Sequence, residues 1–193
     1  MLYNVICTQV VTLFMTGYCP VASGTVASCF TAVCIFMVFL LCGITPQVLM
    51  FTLLGLVALY CIGISCTYYY VSQRDSSEYD TSEIVVDEAV GQIIALIIPF
   101  SALMVLQLVE GNRVFVDTVL SSNTYIAMLF IVSLIGFRAF DILKPGIVGR
   151  FDRTKTVTSI FMDDVMAGVY AGCCALFIIL VMIIAYRYLD EGI

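Results

Sequence analysis

Five carboxylates, Asp87, Glu88, Asp141, Asp163 and Asp164, stand inside or at the edge of long apolar runs, where an ionised group is costly and needs a partner. In "SEIVVDEAVGQIIALIIPF", residues 82–100, Asp87 and Glu88 precede an uncharged stretch, and Ser82 and Glu83 are expected to serve the helix start. In "FMDDVMAGVYAGCC", Asp163 and Asp164 open a run that meets no further charge until Arg187. Adjacent carboxylates repel, and a divalent cation neutralises them most simply. "GFRAFDILKP", residues 136–145, spaces Arg138, Asp141 and Lys144 along one side of a helix that Pro145 stops. Asp141 can face a cation, while Lys144 and Arg138 suit a phosphate as point charge and fork. In "GYCPVASGTVAS", residues 17–28, Gly24 and Thr25 offer backbone N–H groups to an anion at a helix start.

Each motif also has a plainer explanation. Acids in a first turn complement the helix dipole by about 0.3–1 kcal/mol. One of Asp163 and Asp164 can cap a helix, Arg138 and Asp141 can form a simple ion pair, and the glycine turn can merely start a helix. Asp152 and Arg153 in "GRFDRTKT" read as a solvated loop. The combination favours chemistry. Oxygen-only donors suit Mg²⁺, which binds through a few carboxylates plus substrate phosphate, and such a site supports metal-assisted phosphoryl transfer. The chain has no histidine, which excludes a phosphohistidine route. An aspartyl nucleophile stays open, and no acid is singled out as the base.

The elements that must carry these residues are membrane helices. Of 193 residues, 62% are hydrophobic and 11% charged, and the mean hydropathy is +1.11. The expectation is an all-α integral membrane protein, one polytopic domain over residues 1–193, built as a compact bundle of about five transmembrane helices. The spans are expected at 25–44, 47–71, 84–109, 124–140 and 164–186, with Pro46 starting the second and Pro99 bending the third. Residues 2–15 read as a short interfacial or partly inserted helix, with no basic region of the kind that opens a cleavable signal. Numbering the faces puts Arg74, Arg138, Lys144, Arg150, Arg153 and Lys155 on one side, hence cytoplasmic, together with the acids. Eight Lys plus Arg without a basic stripe exclude nucleic acid as a partner. Most of the nine cysteines, such as Cys29, Cys34, Cys61, Cys66, Cys173 and Cys174, sit in apolar runs with no CxxC pair and read as small buried hydrophobes.

"GYCPVASGT", "SEIVVDEAVG", "FRAFDILKP" and "MDDVMAGVYA", in this order, resemble the phosphatidylglycerophosphatase A family over residues 17–172. The resemblance implies a multi-pass lipid phosphatase of the bacterial inner membrane, Mg²⁺ dependent, with its active site on the cytoplasmic face. Its reaction would convert phosphatidylglycerophosphate and water to phosphatidylglycerol and phosphate. By motif position Asp87, Glu88, Asp163 and Asp164 would hold the metal, with Asp141 as a further ligand or the base. Lys144, Arg138, Gly24 and Thr25 would bind the substrate phosphate. The chain departs from the family at Ser23 and Ala27, and again where Thr156, Val157 and Ser159 replace a glycine-rich segment, so residues 154–160 are read as a loop of altered role.

Two rivals come from other classes. A transporter would place its acids at mid-span in repeated halves, and no repeat is visible here. An assembly subunit would use the same acids only as caps.

Overall fold

The computed structural model describes residues 2–73, 82–109, 114–154 and 156–190. Among these residues the secondary structure is helical, with no strand. The helices are α1 (Leu2–Val11), α2 (Ser23–Cys42), α3 (Pro46–Ser72), α4 (Val86–Val109), α5 (Val114–Ser121), α6 (Asn123–Leu143), α7 (Ile147–Asp152) and α8 (Val157–Asp190), with a 3-10 turn at Thr16–Tyr18. Five of them, α2, α3, α4, α6 and α8, are long and apolar enough to cross a membrane. The protein is an all-α, multi-pass membrane protein.

Local chemistry sets several boundaries. Thr45 Oγ1 accepts from the Val48 N–H at 3.3 Å with Pro46 in the first turn, so α3 starts where its proline suggested. Helix α4 runs unbroken through Pro99. At α8, Thr156 and Ser159 cap each other reciprocally: each backbone N–H donates to the other's hydroxyl, at 2.8 and 3.1 Å. The segment read as a loop, 154–160, therefore becomes helix from Val157 onward.

Other boundaries differ from expectation. Helix α1 ends at Val11, and Leu13, Phe14 and Met15 follow in the left-handed region. At ten residues, about 15 Å, α1 is too short to span. It packs on α3 with Cys7 and Val11 fully buried. Short helices α5 and α7 occupy stretches read as loops, and Asp152 ends α7. Arg74, Arg113 and Lys155 lie outside the described residues. The cysteines are free thiols, but Cys34, Cys61, Cys173 and Cys174 are exposed, contrary to the burial expected. Helix faces turned to lipid need not be buried by protein, because lipid tails are as apolar as a core.

Helix α4 is the most enclosed span and packs most extensively on α8. Far from the acids, Phe39 of α2, Phe100 of α4 and Phe130 of α6 meet edge-on or tilted at 5.1–5.7 Å. Such pairs contribute about 0.5–1.5 kcal/mol each beyond their burial. This cluster fixes three helices at one end, so their opposite ends bring the acids and bases together.

Candidate active site

The starts of α2, α4 and α8 and the end of α6 form the site. Val85 donates its N–H to the Val11 carbonyl at 3.0 Å, and Ser23 Oγ donates to the Ser82 carbonyl at 2.7 Å. Glu83 accepts from the Tyr70 hydroxyl at 2.6 Å. These bonds strap the segment before α4 to its neighbours, and α4 begins only at Val86. Asp87 and Glu88 accordingly lie in the first turn, and Ser82 and Glu83 belong to the preceding turn rather than to the helix start expected of them.

The opposite shift occurs in α8. Because the helix starts at Val157, Asp163 and Asp164 sit about two turns inside it, so neither can cap its N-terminus. At 34 residues, about 51 Å, α8 exceeds the roughly 30 Å hydrocarbon layer. Its first two turns can therefore lie at the membrane rim with the acids.

Carboxylate oxygens of Asp87, Glu88 and Asp164 all lie within 4.8 Å of one another. Asp87 and Asp164 are 4% exposed, too little for water to screen their mutual repulsion. Glu88 Oε2 is buried without a hydrogen-bond partner among the described residues. Asp141 completes the surround as an electrostatic neighbour of Glu88 and Asp164, and it pairs with Arg138 Nη1 at 2.6 Å. An all-oxygen set of this kind could hold a hard divalent cation, whose opposed ligands stand about 4.2 Å apart for Mg²⁺.

Asp163 stands beside this trio. Its Oδ2 accepts from Lys144 Nζ at 3.1 Å, while Asp87 remains an electrostatic neighbour. Lys144 is not on the helix stripe as expected: α6 ends at Leu143, and Lys144 turns left-handed at φ 45°. That turn swings the ammonium across to α8. Replacing Lys144 by Met is expected to destabilise the fold by about 1–3 kcal/mol, because it strips a buried carboxylate of its ion pair. Asp163→Asn in the same chain should recover part of the loss, as a double-mutant cycle of thermal unfolding in detergent would measure.

Gly24 joins α2 to this group. A Cβ there would collide with the Glu88 carboxylate and come within 3.2 Å of Arg138 Nη1. Ala22, the residue preceding α2, makes no side-chain cap, and Thr25 is half-buried in the first turn. The start of α2, which its preceding residue does not cap, thus lies beside Glu88 and Arg138.

Sequence reasoning missed the glycines that let α4 and α8 touch. A Cβ on Gly168 would strike the Gly91 carbonyl, and one on Gly91 would lie 2.7 Å from the Asp164 carbonyl. The signal was present: Gly168 and Gly172 are four apart, beside Ala167, Ala171 and Ala175, the small-residue spacing of close membrane helices. All the clustered acids stand near span ends rather than at mid-span.

The profile described as Phosphatidylglycerophosphatase A matches residues 9–179. The chain belongs to the phosphatidylglycerophosphatase A family. The matched stretch includes every residue of the cluster just described, in a family of lipid phosphatases. Among curated relatives, a Bacteroides thetaiotaomicron protein whose name proposes phosphatidylinositol-3-phosphatase is 29% identical over 162 residues, 82% of this chain and 84% of its own length. An uncharacterized protein of Methanocaldococcus jannaschii is 37% identical over 64 residues, 33% of this chain. The match spans 48%, about half, of that archaeal protein's length. No solved structure matches the chain.

Proposed function

We propose that this member of the phosphatidylglycerophosphatase A family hydrolyses phosphatidylglycerophosphate to phosphatidylglycerol and inorganic phosphate. The reaction depends on Mg²⁺ and takes place at the cytoplasmic face of a bacterial inner membrane. The observation that carries this reading is the meeting of Asp87, Glu88 and Asp164 within 4.8 Å of one another, next to Arg138 and the uncapped start of α2. Nucleic acid has no part in it, and the partner is a phospholipid in the bilayer.

Asp87, Glu88 and Asp164 would hold the ion, with Asp163 at its margin through Lys144. A Mg²⁺ ion held there would supply charge neutralisation at the phosphoryl oxygens and would polarise water. Arg138 and Lys144 draw the phosphate in, and the N–H groups of Gly24 and Thr25 orient it. Asp141, held by Arg138, aligns the attacking water and takes its proton. The new P–O bond forms to water, the bond to the glycerol oxygen breaks, and that oxygen leaves with the proton that Asp141 took from the water. The bundle keeps the lipid in the bilayer, so only the headgroup must reach the rim.

Purified protein in mixed micelles is expected to release phosphate from phosphatidylglycerophosphate with Mg²⁺ and to stop when EDTA is added. Folded protein that releases none sinks the proposal. Phosphatidylinositol 3-phosphate, assayed in parallel, tests whether the headgroup named for the Bacteroides relative is preferred.

A further inference from the structure

An apolar groove of about 240 Å³ runs between α2 and α6 on the outside of the bundle. Cys29, Ala32 and Phe36 line it from α2, and Ala127, Ile131 and Leu134 from α6. Both sets follow helical spacing, so each forms a continuous stripe along its helix. Ala32 is buried in the floor, whereas Ile131 is exposed at the rim. The groove therefore opens sideways, toward lipid.

Its direction gives it meaning. Gly24 at the start of α2 abuts Arg138 near the end of α6, so the two helices run antiparallel and meet at the acid cluster. Cys29 lies five residues, about 7.5 Å, along α2 from Gly24, and Leu134 lies one turn before Arg138. The groove starts just beneath the place where a phosphate would bind.

We propose that this groove seats one acyl chain of the substrate lipid while its phosphate occupies the acid cluster. The inference rests on the function proposed above. Because surrounding lipid is equally apolar, the groove adds little hydrophobic driving force. Its contribution is orientation: a chain laid along α2 and α6 aims the headgroup between Gly24 and Arg138. A second apolar groove, between α6 and α8, is lined by Ile178 and Met182. Ile178 stands fourteen residues, about 21 Å, along α8 from Asp164, which makes this groove the internal control.

The test uses full-length protein and phosphatidylglycerophosphate carrying a diazirine in one acyl chain. Photolabelling is expected on peptides from α2 and α6, suppressed by excess phosphatidylglycerophosphate and not by phosphatidylcholine. Ala127→Phe should weaken that labelling and lower kcat/KM for the dioleoyl substrate about tenfold more than for the dihexanoyl one. Met182→Phe should alter neither ratio nor labelling. Labelling on other helices, equal suppression by any phospholipid, or equal loss at both chain lengths overturns the groove assignment. Wild-type protein that hydrolyses neither lipid defeats the proposed function instead, and the photolabelling still decides the groove.

Discussion

Asp164→Asn is expected to cut phosphate release by roughly 100- to 1000-fold, the scale on which loss of a group stabilising developing charge is felt. The fold should survive. Asparagine has nearly the shape of aspartate, and in EDTA the change relieves repulsion from Asp87 and Glu88, whose oxygens lie within 4.8 Å. Unfolding temperature in EDTA should therefore match or exceed that of the wild type. Mg²⁺ should raise the wild-type unfolding temperature, since a ligand of the native state stabilises it by mass action, and this increment should shrink in the variant. Asp87→Asn should behave likewise. Asp163→Asn should lose less of the Mg²⁺ increment, because its carboxylate is tied to Lys144 rather than gathered with the other three. Activity retained in Asp164→Asn would reject the carboxylate assignment, and an increment lost equally in all three variants would reject the distinction drawn for Asp163.

The same residues show what could be read in the chain. The five spans are legible because uncharged runs near twenty residues have few other solutions. The acids stand out because charge beside lipid is rare. Helix starts were harder to place. Charge usually marks the end of an apolar run, which points to Asp163 and Asp164 as the opening of a span, yet α8 begins at the reciprocal Thr156 and Ser159 cap. The earlier start removes the capping explanation, because acids two turns inside a helix cannot cap it. At Asp87 and Glu88 the helix starts later than the pattern suggests, because the Val11 and Ser23 bonds that hold residues 82–85 off the helix join segments distant in sequence. Lys144 could not be located by spacing alone, for spacing assumes that the helix continues, whereas α6 ends at Leu143 and the left-handed Lys144 reaches Asp163 on α8. The match over residues 9–179 supports the family resemblance read from four short motifs, but it cannot supply these tertiary facts.

Gly168→Ala is expected to damage stability and activity together, unlike Asp164→Asn. Its new Cβ would strike the Gly91 carbonyl and stand 3.1 Å from the Gly91 carbonyl carbon. Both are backbone atoms within α4, so no side chain can rotate to make room. The helices must separate or shift, at a cost of about 1–3 kcal/mol for overpacking in a close contact. Gly168 lies one turn from Asp164, and Gly91 lies one turn from Asp87 and Glu88. Any separation at the crossing is therefore passed to the carboxylates, whose oxygens lie within 4.8 Å of one another and must stay close to share one ion. Phosphate release should fall at least about tenfold, as expected when reacting groups are displaced by a fraction of an ångström or more, with the loss smaller at high Mg²⁺. Unfolding temperature and the Mg²⁺ dependence of activity, measured on the same preparation, check this. A stable variant with unchanged Mg²⁺ dependence would mean that close contact between α4 and α8 does not set the spacing of the acids.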